Sequence, residues 1–306
     1  MKKVILSVLI VLLALPGMAN VRKYLKAAEK GNANAQYNLA ICFDYGLSVD
    51  QDHAQAVYWF KLAAEQGHAD AQYYIGNCCY HGDVLSKDVT QAVSWWRKAA
   101  EKGHPEAQYS LATSYFNGEG VVEDYVQAVY WFKKSAKQGY PEAQYYLATC
   151  YYNSYGFDQS DDTKAVSWWR KAAKRGHAKA QYVIGTCYFN GMCVVKNYTK
   201  AVSWFKVAAY QGVAEAQYIL GYCYYDSCGV DRDYTQAVSW WRKAAEQGHV
   251  EAQYNLGICY FNGNGVDQDD TQAVYWFKLA AEQGHEEAHY ALRIYESESD
   301  TDASKQ

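Results

Sequence analysis

The chain has 306 residues, half of them apolar, with 20% charged and a formal net charge of −4. That length accommodates two ordinary domains or one long repeat array, and the mildly acidic balance excludes a nucleic-acid binder that works through a basic face. The 31 tyrosines and 10 tryptophans signal one aromatic-bearing motif copied many times.

At the start, Lys2 and Lys3 precede an apolar run from Val4 to Leu15, and Gly17-Met18-Ala19 places small residues at the cleavage positions. This order predicts a secretory signal peptide over residues 1–19, cut before Asn20. The run is too short for a stable bilayer anchor, and no second apolar segment follows, so the expectation is an exported chain with no membrane span after cleavage. Residues 20–32, with Tyr24 and Ala27-Ala28, then read as a lone capping helix.

From residue 33 a unit of 36 residues, 37 in one case, recurs seven times: 33–68, 69–104, 105–140, 141–177, 178–213, 214–249 and 250–285. A fixed period of this size marks a solenoid. With Ala33 as position 1, positions 1–13 predict helix A. Pro105 and Pro141 stand at position 1, where a missing N–H costs nothing. Glycine at position 14 (Gly46, Gly82, Gly118, Gly191, Gly263) ends helix A in a left-handed conformation. Position 20 is Asp or Asn throughout, from Asp52 to Asp269, with Gln usually three residues on, which predicts an N-cap and capping box opening helix B. The glycine at position 35, such as Gly67, is the expected C-cap of helix B.

A 3.6-residue period puts Ala35, Leu39, Cys42 and Phe43 on one side of helix A, and Ala56, Trp59, Phe60, Ala63 and Ala64 on one side of helix B. All ten tryptophans sit at position 27 or 28. No single pair of helices buries those rings, so successive units must stack. Odd units carry Trp-Phe-Lys at this point and even units Trp-Trp-Arg, which suggests growth by duplication of a two-unit block. Residues 286–296 form a second capping helix, and the acidic stretch 297–306 is expected to be disordered. The predicted fold is all-α: a right-handed α/α superhelical solenoid of seven two-helix repeats with half-repeat caps.

The run Ala-Gln-Tyr-x-Leu-Gly-x-Cys-Tyr-x-x-Gly ending at Gly263, followed by Gly265-Val266 and Gln272-Ala273-Val274-x-Trp276-Phe277-Lys278-x-Ala280-Ala281, resembles the Sel-1-like repeat family, a relative of the tetratricopeptide repeats. The resemblance covers about five-sixths of the chain. It implies a bacterial protein, periplasmic or secreted, and a scaffold for protein–protein contact, with an envelope or host protein as partner. Some cysteine-rich members of the family are linked to β-lactam binding or hydrolysis, which is the alternative reading.

Positions 5 and 12 form the candidate binding surface, which in related solenoids lines a concave groove. Position 5 is Tyr37, Tyr73, Tyr109, Tyr145, Tyr182, Tyr218 and Tyr254; position 12 is Tyr80, Phe116, Tyr152, Phe189, Tyr225 and Phe261, with Asp44 as the exception. Tyrosine offers apolar area with a polar tip, which suits protein recognition. An aromatic stripe at helical spacing is equally compatible with packing between helices, and both readings stand at this point. Acids at position 2 (Asp70, Glu106, Glu142, Glu215, Glu251) favour a basic or mixed-charge protein or peptide segment as partner of a monomeric chain. Lys and Arg at positions 29 and 30, followed by Glu at 33, read as a solvated helix face.

Six of the nine cysteines occupy position 10, a small-residue packing slot too widely spaced between units for disulfides. Cys187 with Cys193, and Cys223 with Cys228, are candidate disulfides in an oxidising compartment. Histidine after the position-35 glycine reads as a turn residue, and neither it nor Cys78-Cys79-Tyr80-His81 has metal-ligand spacing. Ser203-Trp204-Phe205-Lys206 matches the Ser-x-x-Lys of penicillin-recognising enzymes. The same slot reads Tyr-Trp-Phe-Lys in units 1 and 7, and no Ser-Asp-Asn or Lys-Thr-Gly accompanies it. The expectation is therefore no enzyme, no catalytic residue, no metal and no cofactor.

Overall fold

The computed structural model describes residues 19–303, so the expected signal peptide, apart from Ala19, lies outside the described residues. Among these residues there are sixteen helices and no strand, an all-α repeat solenoid. The chain divides into two compact units, Met1–Asp161 and Asp162–Gln306, the boundary falling between the two helices of repeat 4.

The first unit holds α1 (Ala19–Glu29), α2 (Ala33–Tyr45), α3 (His53–Glu65), α4 (Ala69–His81), α5 (Val89–Glu101), α6 (Pro105–Asn117), α7 (Tyr125–Lys137) and α8 (Pro141–Asn153). The second holds α9 (Asp162–Lys174), α10 (Ala178–Asn190), α11 (Tyr198–Tyr210), α12 (Ala214–Tyr225), α13 (Tyr234–Glu246), α14 (Val250–Asn262), α15 (Asp270–Glu282) and α16 (Glu286–Ala303). Within each unit every helix packs on its neighbours in sequence. α1 buries Val21, Leu25 and Ala28, which is how a half-repeat covers the first full one.

The caps set the helix lengths. Asp52, Asp88, Asp124, Asn197, Asp233 and Asp269 each accept a hydrogen bond from the backbone N–H three residues on, at 2.8–3.0 Å. The reciprocal half of the expected capping box is displaced. The backbone N–H of each cap residue donates instead to a carbonyl at position 11 of the preceding helix A, as Asp52 does to Phe43 at 2.9 Å and Asp88 to Cys79 at 2.8 Å. That bond ties the loop to the repeat and leaves the Gln side chain free; Gln91 accepts from the Cys79 thiol. The position-35 glycine lies one residue beyond the helix B cap: Gln66 is the cap, and Gly67 at φ +90° turns the chain. The six-to-one bond from the His68 N–H to the Ala63 carbonyl closes the turn at 3.0 Å.

Phe60, Phe132 and Phe205 at position 28 are fully buried, as are Leu39, Ile75, Leu111, Leu147, Ile184, Leu220 and Leu256 at position 7. Each such side chain contributes about 1.5–3 kcal/mol by leaving water. The cores are shared between repeats: Phe205 of α11, Leu220 and Cys223 of α12 and Trp240 of α13 form one cluster. Seven of the ten tryptophans are buried and Trp95, Trp168 and Trp204 are half-buried. The last helix runs on to Ala303, into the stretch expected to be disordered. Nothing between residues 286 and 303 is Gly or Pro, so no residue there stops it.

Candidate functional site

All seven position-5 tyrosines are half-buried. One side of each ring belongs to packing and the other to the surface, so the two readings left open by the sequence are both partly right. Tyr37, Tyr182 and Tyr254 lie 5.6–6.0 Å from the buried Phe60, Phe205 and Phe277 of their own repeats. Tyr109 packs at the same range against Phe132. Position 12 is half-buried at Tyr80, Phe116, Phe189 and Tyr225, and exposed at Tyr152 and Phe261, 42% each. Phe116 and Phe189 lean on the first helix B residues Tyr125 and Tyr198 at 5.3 and 5.0 Å. Asp44, the exception, accepts from the Tyr74 hydroxyl at 2.7 Å and contacts His53 at 2.9 Å. A carboxylate with two partners thus replaces the ring, and burial together with this bond pushes the Tyr74 phenol up.

The histidines after the position-35 glycine are N-caps of the next helix A, a role that sequence reading missed. Nδ1 of His68, His104, His177, His249 and His285 accepts from the backbone N–H three residues on, at 3.1–3.4 Å. The ring must be neutral, with its proton on Nε2, to accept there. The same rings support the tyrosine row: Tyr37 stacks on His68 at 4.4 Å, Tyr218 on His249 at 4.5 Å and Tyr254 on His285 at 4.4 Å. Nε2 then meets the position-2 acid of the same repeat, His104 to Asp70 at 3.2 Å and His285 to Glu251 at 3.3 Å. Those acids stay 55% and 56% exposed, so they orient the stacked rings and still present negative charge to solvent.

Behind the tyrosines runs a second device without a signal in the periodicity. Gln36, Gln72, Gln108, Gln144, Gln181, Gln217 and Gln253 at position 4 are buried. Each donates Nε2 to an alanine carbonyl closing the previous helix B, at 3.0–3.2 Å. Five of them accept in turn from a Gln at position 34. Repeat 2 has Lys102 there, and the Gln72 carbonyl oxygen is left without a partner.

All nine cysteines are free thiols, the two candidate pairs included. The six at position 10 are buried, and burial pushes Cys78, Cys150, Cys223 and Cys259 up to about 12. Cys193 is exposed. The Cys228 N–H bonds to the Cys223 carbonyl at 2.9 Å, the six-to-one contact that brings the side chains at its two ends together. Ser203 and Lys206 do not form a nucleophile–base pair: the Ser203 hydroxyl donates to the Thr199 carbonyl at 2.9 Å and Lys206 Nζ lies 5.3 Å from the Tyr224 ring centroid. Among the described residues no group of three His, Cys, Asp or Glu is placed to hold a metal ion, and no helix is long and apolar enough to cross a membrane.

The profile of the Sel1 repeat matches residues 33–68, 69–104, 105–140, 141–177, 178–213, 214–249 and 250–285. The chain belongs to the Sel1 repeat family. A solved protective antigen of uropathogenic Escherichia coli strains displaying the SLR fold is 36% identical with a TM-score of 0.80, over 89% of this chain and 58% of that one. The chain therefore spans little more than half of that antigen. A Sel1 repeat protein from Oxalobacter formigenes is 33% identical with a TM-score of 0.70, over 90% of this chain and 79% of that one. No curated protein matches the chain significantly. Sel1 repeat proteins are typically non-catalytic scaffolds for contact with other proteins.

Within this Sel1 chain Lys98, Lys171 and Lys243 of the helix B faces are exposed, as the solvated-face reading expected, and each also lies over a ring. Lys98, Lys171 and Lys243 place Nζ 3.8–4.1 Å from the centroids of Trp95, Trp168 and Trp240, three residues earlier. The i, i+3 spacing was the available signal. An ammonium over an indole is attracted by the ring quadrupole, so Lys98 and Lys171 cover the half-buried Trp95 and Trp168, and Lys243 the buried Trp240.

Proposed function

We propose that this Sel1 repeat protein is an exported scaffold that holds basic or mixed-charge segments of another protein on the position-5 and position-12 aromatics of each unit. One observation carries the reading. Seven tyrosines in register are neither buried nor free, and Asp70 and Glu251 lie beside them still more than half exposed. A half-buried tyrosine is pre-ordered by its own packing, so little side-chain entropy is lost when a partner covers the other half. Export rests on the amino-terminal pattern of Lys2, Lys3, the apolar run and Ala19. The resemblance to an E. coli antigen is compatible with an envelope or extracellular partner.

A peptide array of random extended segments tests the binding. Enrichment of Lys- and Arg-bearing peptides on the wild-type chain, lost in a Tyr80→Ser, Tyr152→Ser, Phe261→Ser variant of unchanged helicity, is the expected result. Equal retention of acidic, neutral and basic peptides would sink the proposal. Fractionation of a bacterial host expressing the full chain tests export, with a protein shortened at Ala19 as the expected product.

A further inference from the structure

The groove reading has a finer structure, set by the alternation of odd and even repeats. Position 28 is Phe in odd repeats and Trp in the even repeats 2 and 6. In the first unit the residue at position 6 of the next helix A changes with it. Tyr74 stacks on Phe60 at 3.8 Å and Tyr146 on Phe132 at 5.5 Å, filling the space after repeats 1 and 3. After repeat 2 the same position is Ser110, and a cavity of about 230 Å³ opens among Tyr73, Tyr80, Trp96, Tyr109 and Glu119. In the second unit Ile219 packs against the core around Phe205 after repeat 5. After repeat 6 the residue is Asn255, and a cavity of about 260 Å³ opens among Tyr218, Tyr222, Tyr225 and Trp241.

Both cavities have aromatic walls, and a wall tyrosine of each holds a carboxylate: Glu119 lines the first cavity, and Asp226 stands beside the second, outside its lining. The Tyr80 hydroxyl donates to Glu119 at 3.0 Å, and the Tyr222 hydroxyl donates to Asp226 at 3.0 Å. The indole N–H of each wall is already satisfied from within, by Asn77 for Trp96 and by the Tyr218 carbonyl for Trp241. The two indoles therefore offer π-faces rather than donors. Rings beside a fixed negative charge select a cation. The chain's own Lys87 rests 5.9 Å from the Tyr80 centroid, so this rim already attracts an ammonium group.

From this geometry we infer that repeats 2 and 6 each carry a cation-accepting aromatic pocket that receives one lysine or arginine side chain of a bound segment. The inference deepens the groove reading and rests on it: the junctions after repeats 1, 3 and 5 are filled by Tyr74, Tyr146 and Ile219, and those after repeats 2 and 6 are the places where a partner side chain enters.

The test uses the full chain labelled with ¹⁵N. The Trp96 and Trp241 indole signals are assigned from Trp96→Phe and Trp241→Phe variants. Acetyl-arginine methylamide and its neutral isostere acetyl-norleucine methylamide are the probes. The expected result is that both indoles shift with the arginine probe, at least about fivefold more tightly than with norleucine. Glu119→Gln should abolish the Trp96 response and spare that of Trp241, and Asp226→Asn should do the converse. Equal responses to the two probes, no response at either indole, or a Glu119→Gln variant indistinguishable from wild type would overturn the pockets. These probes need no protein partner, so the result is separable from that of the groove. Basic peptides that bind wild type and both carboxylate variants alike would overturn the pockets while leaving the groove standing.

Discussion

Buried glutamine at position 4 shows what a single residue does in a stacked array. Its amide joins the end of one repeat to the start of the next, and its carbonyl is satisfied by Gln at position 34 in five repeats. In repeat 2 Lys102 leaves the Gln72 oxygen unpaired. An unsatisfied buried acceptor costs about 1–3 kcal/mol. Lys102→Gln, which restores the pairing seen between Gln66 and Gln36, is expected to raise the melting temperature in calorimetry. Gln108→Ala, which removes one of the two donors to the Ala100 carbonyl and strips Gln138 of an acceptor, is expected to cost about 1–3 kcal/mol in a urea titration. A neutral outcome for both would remove the ladder from the list of stabilising features. The cysteines behave by position too. Iodoacetamide at mild alkaline pH is expected to modify Cys193 in the native chain and to leave Cys150, Cys223 and Cys259 untouched, because thiols raised to about 12 by burial yield little thiolate. Peptide mass mapping reads the result, and early loss of the Cys150 thiol would contradict it.

Among the elements, helix A depends on an unusual cap. Burial lowers the pKa of His68 and His249 below the ordinary value, against the opposing pull of Asp70 on the first and of Glu215 and Glu251 on the second. The unfolded chain then binds protons more readily than the folded one. The stabilisation from these caps is complete above the unfolded pKa of about 6.5, is lost as pH falls through the window below it, and levels off below the folded pKa. Melting temperature is therefore expected to fall between about pH 7 and pH 5. A His68→Asn, His249→Asn variant, which keeps a cap acceptor that does not titrate, should show a shallower fall. Identical slopes would exclude the caps as the cause. The helices themselves were legible in the chain: proline at position 1, glycine at position 14 and Asp or Asn at position 20 placed helix A and the start of helix B, while helix B is capped one residue before the glycine expected to cap it. The closed capping box was not, because the cap N–H had a better acceptor in the preceding helix, which spacing along the chain does not reveal.

At the largest scale, within each compact unit, stability is carried by interfaces between successive helices. Phe132 is fully buried in the first unit, and Phe132→Ala is expected to cost about 3–5 kcal/mol. Hydrogen exchange should quicken in α6 to α8 ahead of α1, since each repeat touches only its neighbours. A loss under about 1 kcal/mol, or uniform exchange across that unit, would argue against shared cores.

The repeat, its period, its helix starts and its core faces were determined by sequence alone, because caps, glycines and a 3.6-residue period are local properties repeated seven times. The aromatic stripe was visible too, but its exposure was not: whether a tyrosine is half-covered depends on which ring the next repeat sets beside it. Only the tertiary structure decided that histidine caps a helix, that glutamine bridges repeats and that cavities open after repeats 2 and 6. The glutamine pairs and the cavities come from contacts some 20 to 40 residues apart, between side chains whose identities alternate, whereas the histidine cap is a contact of only three residues.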